Sequence, residues 1–72
     1  MTAQDKEIIK LSKLCQHWAD HNDSHKASFL KWRNIADDKG LESAVRNLEK
    51  AIEMMDKCNE FLLSISRDLE NL

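Results

Sequence analysis

Three histidines recur every four residues in the first half of the chain, at His17, His21 and His25. On an α-helix a step of four residues turns about 40° and rises about 6 Å, so the imidazoles form one slowly spiralling row. Neutral imidazole is a good ligand for nickel, copper and zinc. His17 and His25 lie about 12 Å apart along the axis, too far for one ion with metal–nitrogen bonds of about 2 Å. The row therefore predicts a metal site that uses part of its length, holds several ions, or needs a second chain.

Further candidate site residues accompany the row. We expect His17 and His21 to supply the core chelate because they form the first pair and flank Trp18, with His25 completing the set from the same or another chain. Trp18 is interpreted as core filling that also places an indole face near a metal cation. Cys58, in the second half of the chain, is interpreted as a small buried thiol, with an extra metal ligand as the alternative.

Composition limits the fold and the function. A chain of 72 residues makes one small domain, and such domains often depend on metals or self-association for stability. The absence of proline, a single glycine and 33% charged residues predict helix without strands. Acids and bases are mixed, with a net charge of −2, so we expect no nucleic-acid partner. Without a signal peptide or an apolar span, we expect a cytoplasmic protein with reduced cysteines and no membrane contact.

Gly40 divides the sequence into two helical halves. We predict helix 1 at about residues 3–37, a turn at 37–40 and helix 2 at about 41–70. A loop this short makes the helices antiparallel. The fold prediction is therefore a single all-α domain over residues 1–72, an antiparallel helical hairpin of the coiled-coil type.

Two local features affect helix 1. Thr2, with Asp5 three residues later, resembles a weak capping box and predicts the start of the helix. Residues 22–24 (Asn-Asp-Ser) are poor helix formers, so a kink there is one alternative. We favour a continuous helix because the heptad phase is unbroken across these residues.

Seven-residue repeats predict which faces form the seam between the helices. The assigned rows of helix 1 are Leu11, Trp18, His25 and Trp32 with Leu14, His21, Ser28 and Ile35. Those of helix 2 are Leu41, Leu48, Met55, Leu62 and Leu69 with Ala44, Ala51, Cys58 and Ile65. A further set of apolar residues lies outside these rows: Ile8, Cys15, Phe29, Ala36, Val45, Ile52 and Phe61. One hairpin seam cannot cover all of them, which predicts a homodimer, either a four-helix bundle of two hairpins or a longer coiled coil.

The histidine row does not match common metalloenzyme motifs. A zinc protease needs glutamate directly after the first histidine of a pair, and that place is held by Trp18. A di-iron bundle needs Glu-x-x-His pairs, whereas Leu14, Trp18 and Asn22 stand three residues before the histidines. The chain also has no glycine-rich phosphate loop. We therefore expect a protein that is not an enzyme.

The run His17-Trp18-x-x-His21-x-x-x-His25 resembles the HWxxHxxxH motif of the CooJ nickel chaperone family, with all four defining residues present. The resemblance covers these nine residues and the short, helical, coiled-coil character. It implies nickel(II) at a homodimer interface, with histidines from both chains and the tryptophan near the metal. It also implies delivery to a client nickel enzyme, which is carbon monoxide dehydrogenase for that family. The sequence lacks the His- and Cys-rich C-terminal tail of that family, so we do not expect large-capacity storage.

Two alternatives remain open from the residues alone. The chain could be a structural coiled-coil module whose seam histidines set the register or respond to pH. It could also handle zinc or copper, because affinity alone favours copper over nickel.

Overall fold

The computed structural model describes residues 5–72 as two long helices. Helix α1 spans Lys6–Asp38 and helix α2 spans Glu42–Glu70. They pack against each other as an antiparallel pair, and the Cα atoms span 55 × 14 × 12 Å. The predicted all-α hairpin is confirmed, and residues 5–72 contain no strand. Neither helix is long and apolar enough to cross a membrane, as far as residues 5–72 show.

Capping interactions define both ends of α1. The Asp5 carboxylate accepts hydrogen bonds from the backbone N–H groups of Glu7 (3.0 Å) and Ile8 (3.3 Å) and caps α1, which begins at Lys6. Thr2, the other half of the expected capping box, lies outside the described residues. From Lys6 the helix runs without a break through residues 22–24, as the continuous heptad phase indicates.

Gly40 ends α1 in a Schellman motif. Its φ is +73°, in the left-handed region that favours glycine. The Leu41 N–H donates to the Ala36 carbonyl (3.0 Å) and the Gly40 N–H to the Asp37 carbonyl (3.0 Å). The chain therefore reverses within three residues, Lys39 to Leu41, and α2 packs back along α1.

The seam between the helices uses a different face of α1 from the predicted one. The seam residues of α1 are buried or half-buried and recur in alternating steps of three and four: Ile8, Ser12, Cys15, Ala19, Asn22, Lys26, Phe29, Arg33 and Ala36; of the predicted rows, Leu14 and Ile35 are also half-buried. The seam of α2 consists of Val45, Leu48, Ile52, Met55, Asn59, Leu62, Ser66 and Leu69. The predicted seam of helix 1 is therefore wrong, because Trp18 and Trp32 are 43% and 56% exposed. On helix 2 the row from Leu48 to Leu69 is correct, whereas in its companion row Ala44 and Ala51 are half-buried and Cys58 and Ile65 are exposed.

Matched polar groups explain why this face is chosen. The buried Ser12 and Ser66 hydroxyls are hydrogen-bonded at 2.9 Å. Near mid-seam, the buried Asn59 side chain accepts from the Asn22 amide (2.9 Å) and donates to the Asp23 carboxylate (3.0 Å). Every buried side-chain nitrogen and oxygen within residues 5–72 has a partner. Because an unpaired buried polar group is costly, these pairs select one register.

Ion pairs cover one flank of the seam, which we call the charged flank (Lys26, Arg33, Glu49 and Asp56). The Lys26 ammonium bonds the Asp56 carboxylate, and this hydrogen bond raises the pKa of Lys26. The Arg33 guanidinium donates to the Glu49 carboxylate through Nε (3.1 Å) and Nη2 (3.0 Å). Two cations at seam positions thus reach carboxylates at the water-exposed edge.

We predict that Gly40→Ala lowers the free energy of unfolding by about 1 kcal/mol, or roughly 4–8 °C in Tm. A Cβ there would meet open space, so the cost arises from the backbone conformation alone. Thermal unfolding at one protein concentration measures the change. Lys39→Ala, at the neighbouring exposed position, is the control and should stay within about 0.5 kcal/mol. Equal stability of Gly40→Ala and Lys39→Ala would contradict the positive φ.

We also predict that Asn59→Ala lowers the free energy of unfolding by about 1–3 kcal/mol, because it removes the partner of two polar side chains. Asn47→Ala, at an exposed position of the same helix, is the matched control. Denaturant titration of both variants measures the difference. The Asn22→Ala/Asn59→Ala double variant should lose less stability than the two single changes added together, and strict additivity would show that the two amides are not coupled.

Candidate metal centre

The histidine row lies on the open side of α1, outside the seam. His17, His21 and His25 are all exposed, which corrects the placement of His21 and His25 in the core. Because each step of four residues turns about 40°, the row spirals from the outer surface at His17 towards the seam. It ends beside the half-buried Phe29, whose ring is stacked on His25 with centroids 6.2 Å apart.

The structure brings together the second and third histidines of the row. The Nε2 atoms of His21 and His25 are 3.0 Å apart, and the two rings meet edge to face with centroids 4.6 Å apart. The rings of His17 and His21 are 6.4 Å apart and nearly parallel. The converging nitrogens therefore belong to His21 and His25, whereas His17 and His21 were expected to supply the chelate.

The separation of the two Nε2 atoms matches a particular ligand geometry. With metal–nitrogen bonds of about 2.1 Å, ligands at 90° have nitrogens about 3.0 Å apart, and tetrahedral ligands have them about 3.4 Å apart. His21 and His25 thus match two adjacent ligands of a square-planar or octahedral ion, the geometries typical of nickel(II) and copper(II). Without metal, the same contact is a hydrogen bond in which one ring donates and the other accepts.

One hairpin supplies only part of a coordination shell. Among the side chains of residues 5–72, no three from histidine, cysteine, aspartate and glutamate form a group that could hold a metal ion. Cys58, interpreted from the sequence as a buried thiol or extra ligand, is exposed at the edge of the seam. The polar contact of its Sγ is with the Asn22 amide, at 3.7 Å. A metal held by the imidazole pair therefore needs ligands from water or from another molecule.

The histidine pair is surrounded by apolar side chains on the side of the hairpin opposite the charged flank. We call this side the apolar flank: Leu11, Leu14, Trp18, Trp32 and Ile35 on α1, with Met54, Cys58, Phe61 and Ile65 on α2. Cys58 contacts Asn22 on one side of the seam, and Lys26 pairs with Asp56 on the other side. The α2 members of the apolar flank therefore lie on the side away from the charged flank. Phe61 is 71% exposed. Most of these side chains are exposed, and Leu14 and Ile35 are half-buried, so the apolar flank is a candidate interaction surface.

Comparison with known proteins gives a family. A domain of unknown function (DUF8180) matches residues 11–69, which include the histidine row and most of both helices. The chain belongs to this family. Neither the curated proteins nor the solved structures contain a match.

Proposed function

We propose that this member of the DUF8180 family binds nickel(II) through His21 and His25 and acts as a nickel chaperone or buffer, not as a catalyst. The observation that carries the proposal is the 3.0 Å separation of the two Nε2 atoms, which suits adjacent ligands of a square-planar or octahedral ion. The resemblance of the His17–His25 run to the motif of the CooJ family supports nickel as the ion.

The position of the pair suits uptake and release of an ion. Both rings project from successive turns of one continuous helix, so binding requires little reorganisation of the backbone. Both are also exposed in the single hairpin, so an ion can reach them from solvent. Trp18 lies on the same face, where its indole can exclude water and add a cation–π attraction of about 0.5–2 kcal/mol.

The proposed setting is a cytoplasmic homodimer that serves a client nickel enzyme. A second copy would cover the apolar flank and supply the ligands that one hairpin lacks. The cytoplasm would keep Cys15 and Cys58 reduced.

Copper(II) is the second candidate ion. The 3.0 Å separation suits it as well as nickel, and imidazole sites generally bind copper more tightly. A register role for the histidines within the hairpin is disfavoured because they lie outside the seam, where Asn22 and Asn59 form the matched pair.

We predict that His21→Ala and His25→Ala each weaken nickel binding at least tenfold, which is about 1.4 kcal/mol, because each removes one of two adjacent ligands. His17→Ala is the matched control and should change the affinity by less than about threefold. Calorimetric titration with nickel, copper and zinc gives the affinities and the order of the metals. If the unaltered protein binds none of these ions, the chain is a structural module instead; if it binds nickel and both single variants bind as tightly, His21 and His25 are not the ligands.

We predict that acidification releases the nickel. Ligation needs neutral imidazole, so protons compete with the ion for the ring nitrogens and the affinity for nickel falls as the pH is lowered. The stability that the metal adds is therefore present at neutral pH and is lost on acidification. The Tm of the nickel-loaded protein should therefore drop towards that of the metal-free protein. An equal drop in the metal-free protein would show that the effect does not come from ligation.

A further inference from the structure

The side chains on the face of α1 that holds the histidine pair form a stripe that is similar when it is followed in either chain direction. Its members are Leu11, Leu14, Trp18, His21, His25, Ser28, Trp32 and Ile35. We infer that two copies pack α1 against α1 in antiparallel orientation, about a two-fold axis level with residue 23. One metal ion on this axis then takes His21 and His25 from both copies. The shared metal ion rests on the proposed function, whereas the antiparallel orientation is inferred from the order of the side chains along the stripe.

The centre of the stripe is symmetrical about residue 23. His21 and His25 are each two residues from it, so reversal places His21 of one copy opposite His25 of the second copy. Trp18 and Ser28 are each five residues away. Reversal therefore sets a large, exposed indole against a small side chain, the alternation of sizes that lets two surfaces interdigitate.

The outer parts of the stripe obey the same relation. Leu14 and Trp32 are each nine residues from the centre, so an apolar side chain meets an apolar one, and Leu11 and Ile35 correspond in the same way. At the ends, reversal brings the acidic Glu7 opposite the basic Lys39.

In a parallel pair each of these residues would face the same residue of the second copy. Glu7 would then meet Glu7, Lys39 would meet Lys39, and each bulky Trp18 would meet another. Like charges at matched positions are unfavourable, and a parallel pair loses the match of large against small side chains, so the stripe selects the antiparallel pair.

Helix α2 is compatible with the same axis. The Asn59–Asp23 hydrogen bond (3.0 Å) shows that the level of residue 23 on α1 is the level of Asn59 on α2. The apolar flank of α2 extends to both sides of this level, with Met54 before it and Phe61 after it. Two hairpins related by this axis form a four-helix bundle in which every neighbouring pair of helices is antiparallel.

The number of ligands then follows. Each copy supplies two nitrogens at the spacing of adjacent ligands, so two copies supply the four that a square-planar ion needs. Packed helices lie about 8–10 Å apart, a gap that two opposed imidazoles can span through one ion. His17 is six residues from the axis, about 9 Å along the helix, and faces outwards. It is therefore outside the ligand set.

Stoichiometry tests the ligand set. Calorimetry with nickel should give one ion per two chains in the unaltered protein and in His17→Ala, and should show binding weakened at least tenfold in His21→Ala and in His25→Ala. One ion per chain, or loss of binding in His17→Ala, would overturn it.

Distances between spin labels test the orientation. A nitroxide is placed at Lys10→Cys or at Lys31→Cys, two exposed positions on the outer face of α1, in a Cys58→Ser background; Cys15 is buried and is left unchanged. The antiparallel pair predicts label separations of about 39 Å and about 24 Å along the axis, at 1.5 Å per residue. A parallel pair predicts the same short separation at both positions.

The two measurements separate the orientation from the metal. Separations that differ as predicted support the antiparallel pair, and equal separations or the absence of dipolar coupling overturn it. If nickel binds while the separations are equal, the inference fails and the proposed function stands. If the separations are as predicted while nickel, copper and zinc do not bind, the orientation stands and the metal part of the inference fails together with the proposed function.

Discussion

The Asn59 side chain, buried between the helices and bonded to Asn22 and Asp23, is the contact on which the rest of the arrangement depends. An amide in this position is tolerated only where its donor and its acceptor both find partners. Sliding or rotating either helix would separate these groups and leave them unpaired. The bridge therefore fixes the phase of the seam, and the phase directs the histidine row towards solvent.

The hairpin could be predicted from the sequence, because Gly40 separates two strong helical patterns and has the left-handed conformation that ends α1. The seam of α1 could not, because this helix carries two interleaved heptad stripes. The larger apolar residues favoured the stripe with Trp18 and Trp32, whereas the fold uses the one in which Ser12 and Asn22 find polar partners. In an antiparallel pair, the numbers of two facing residues add up to a nearly constant sum. The sums for Ser12 with Ser66 and for Asn22 with Asn59 are close to each other, so these matched polar pairs could have indicated the seam from the sequence.

The candidate site shows a similar division. The spacing of the histidines predicts one row on one face, and the structure has this row. Which two rings converge depends on the side-chain rotamers, since all neighbouring pairs in the row have the same separation along the chain. His25 stacks on Phe29 at the edge of the seam and turns its Nε2 towards His21. The contact of His25 with Phe29 can be predicted only when the face of α1 that forms the seam is known.

In the proposed dimer, the distribution of apolar residues would link association to metal binding. The buried apolar side chains of the hairpin are small, namely Cys15, Ala19, Ala36 and Val45, while its tryptophans and Phe61 are exposed. Both tryptophans and Phe61, whose burial would stabilise the fold, thus lie on the flank that holds the histidine pair. A metal shared by two copies at 100 times its dissociation constant stabilises the pair by about 2.7 kcal/mol. Because such coupling is reciprocal, a partner that competes for the apolar flank would weaken metal binding by as much as the bound metal weakens the binding of that partner, which would give the proposed metal carrier a physical route to release its ion.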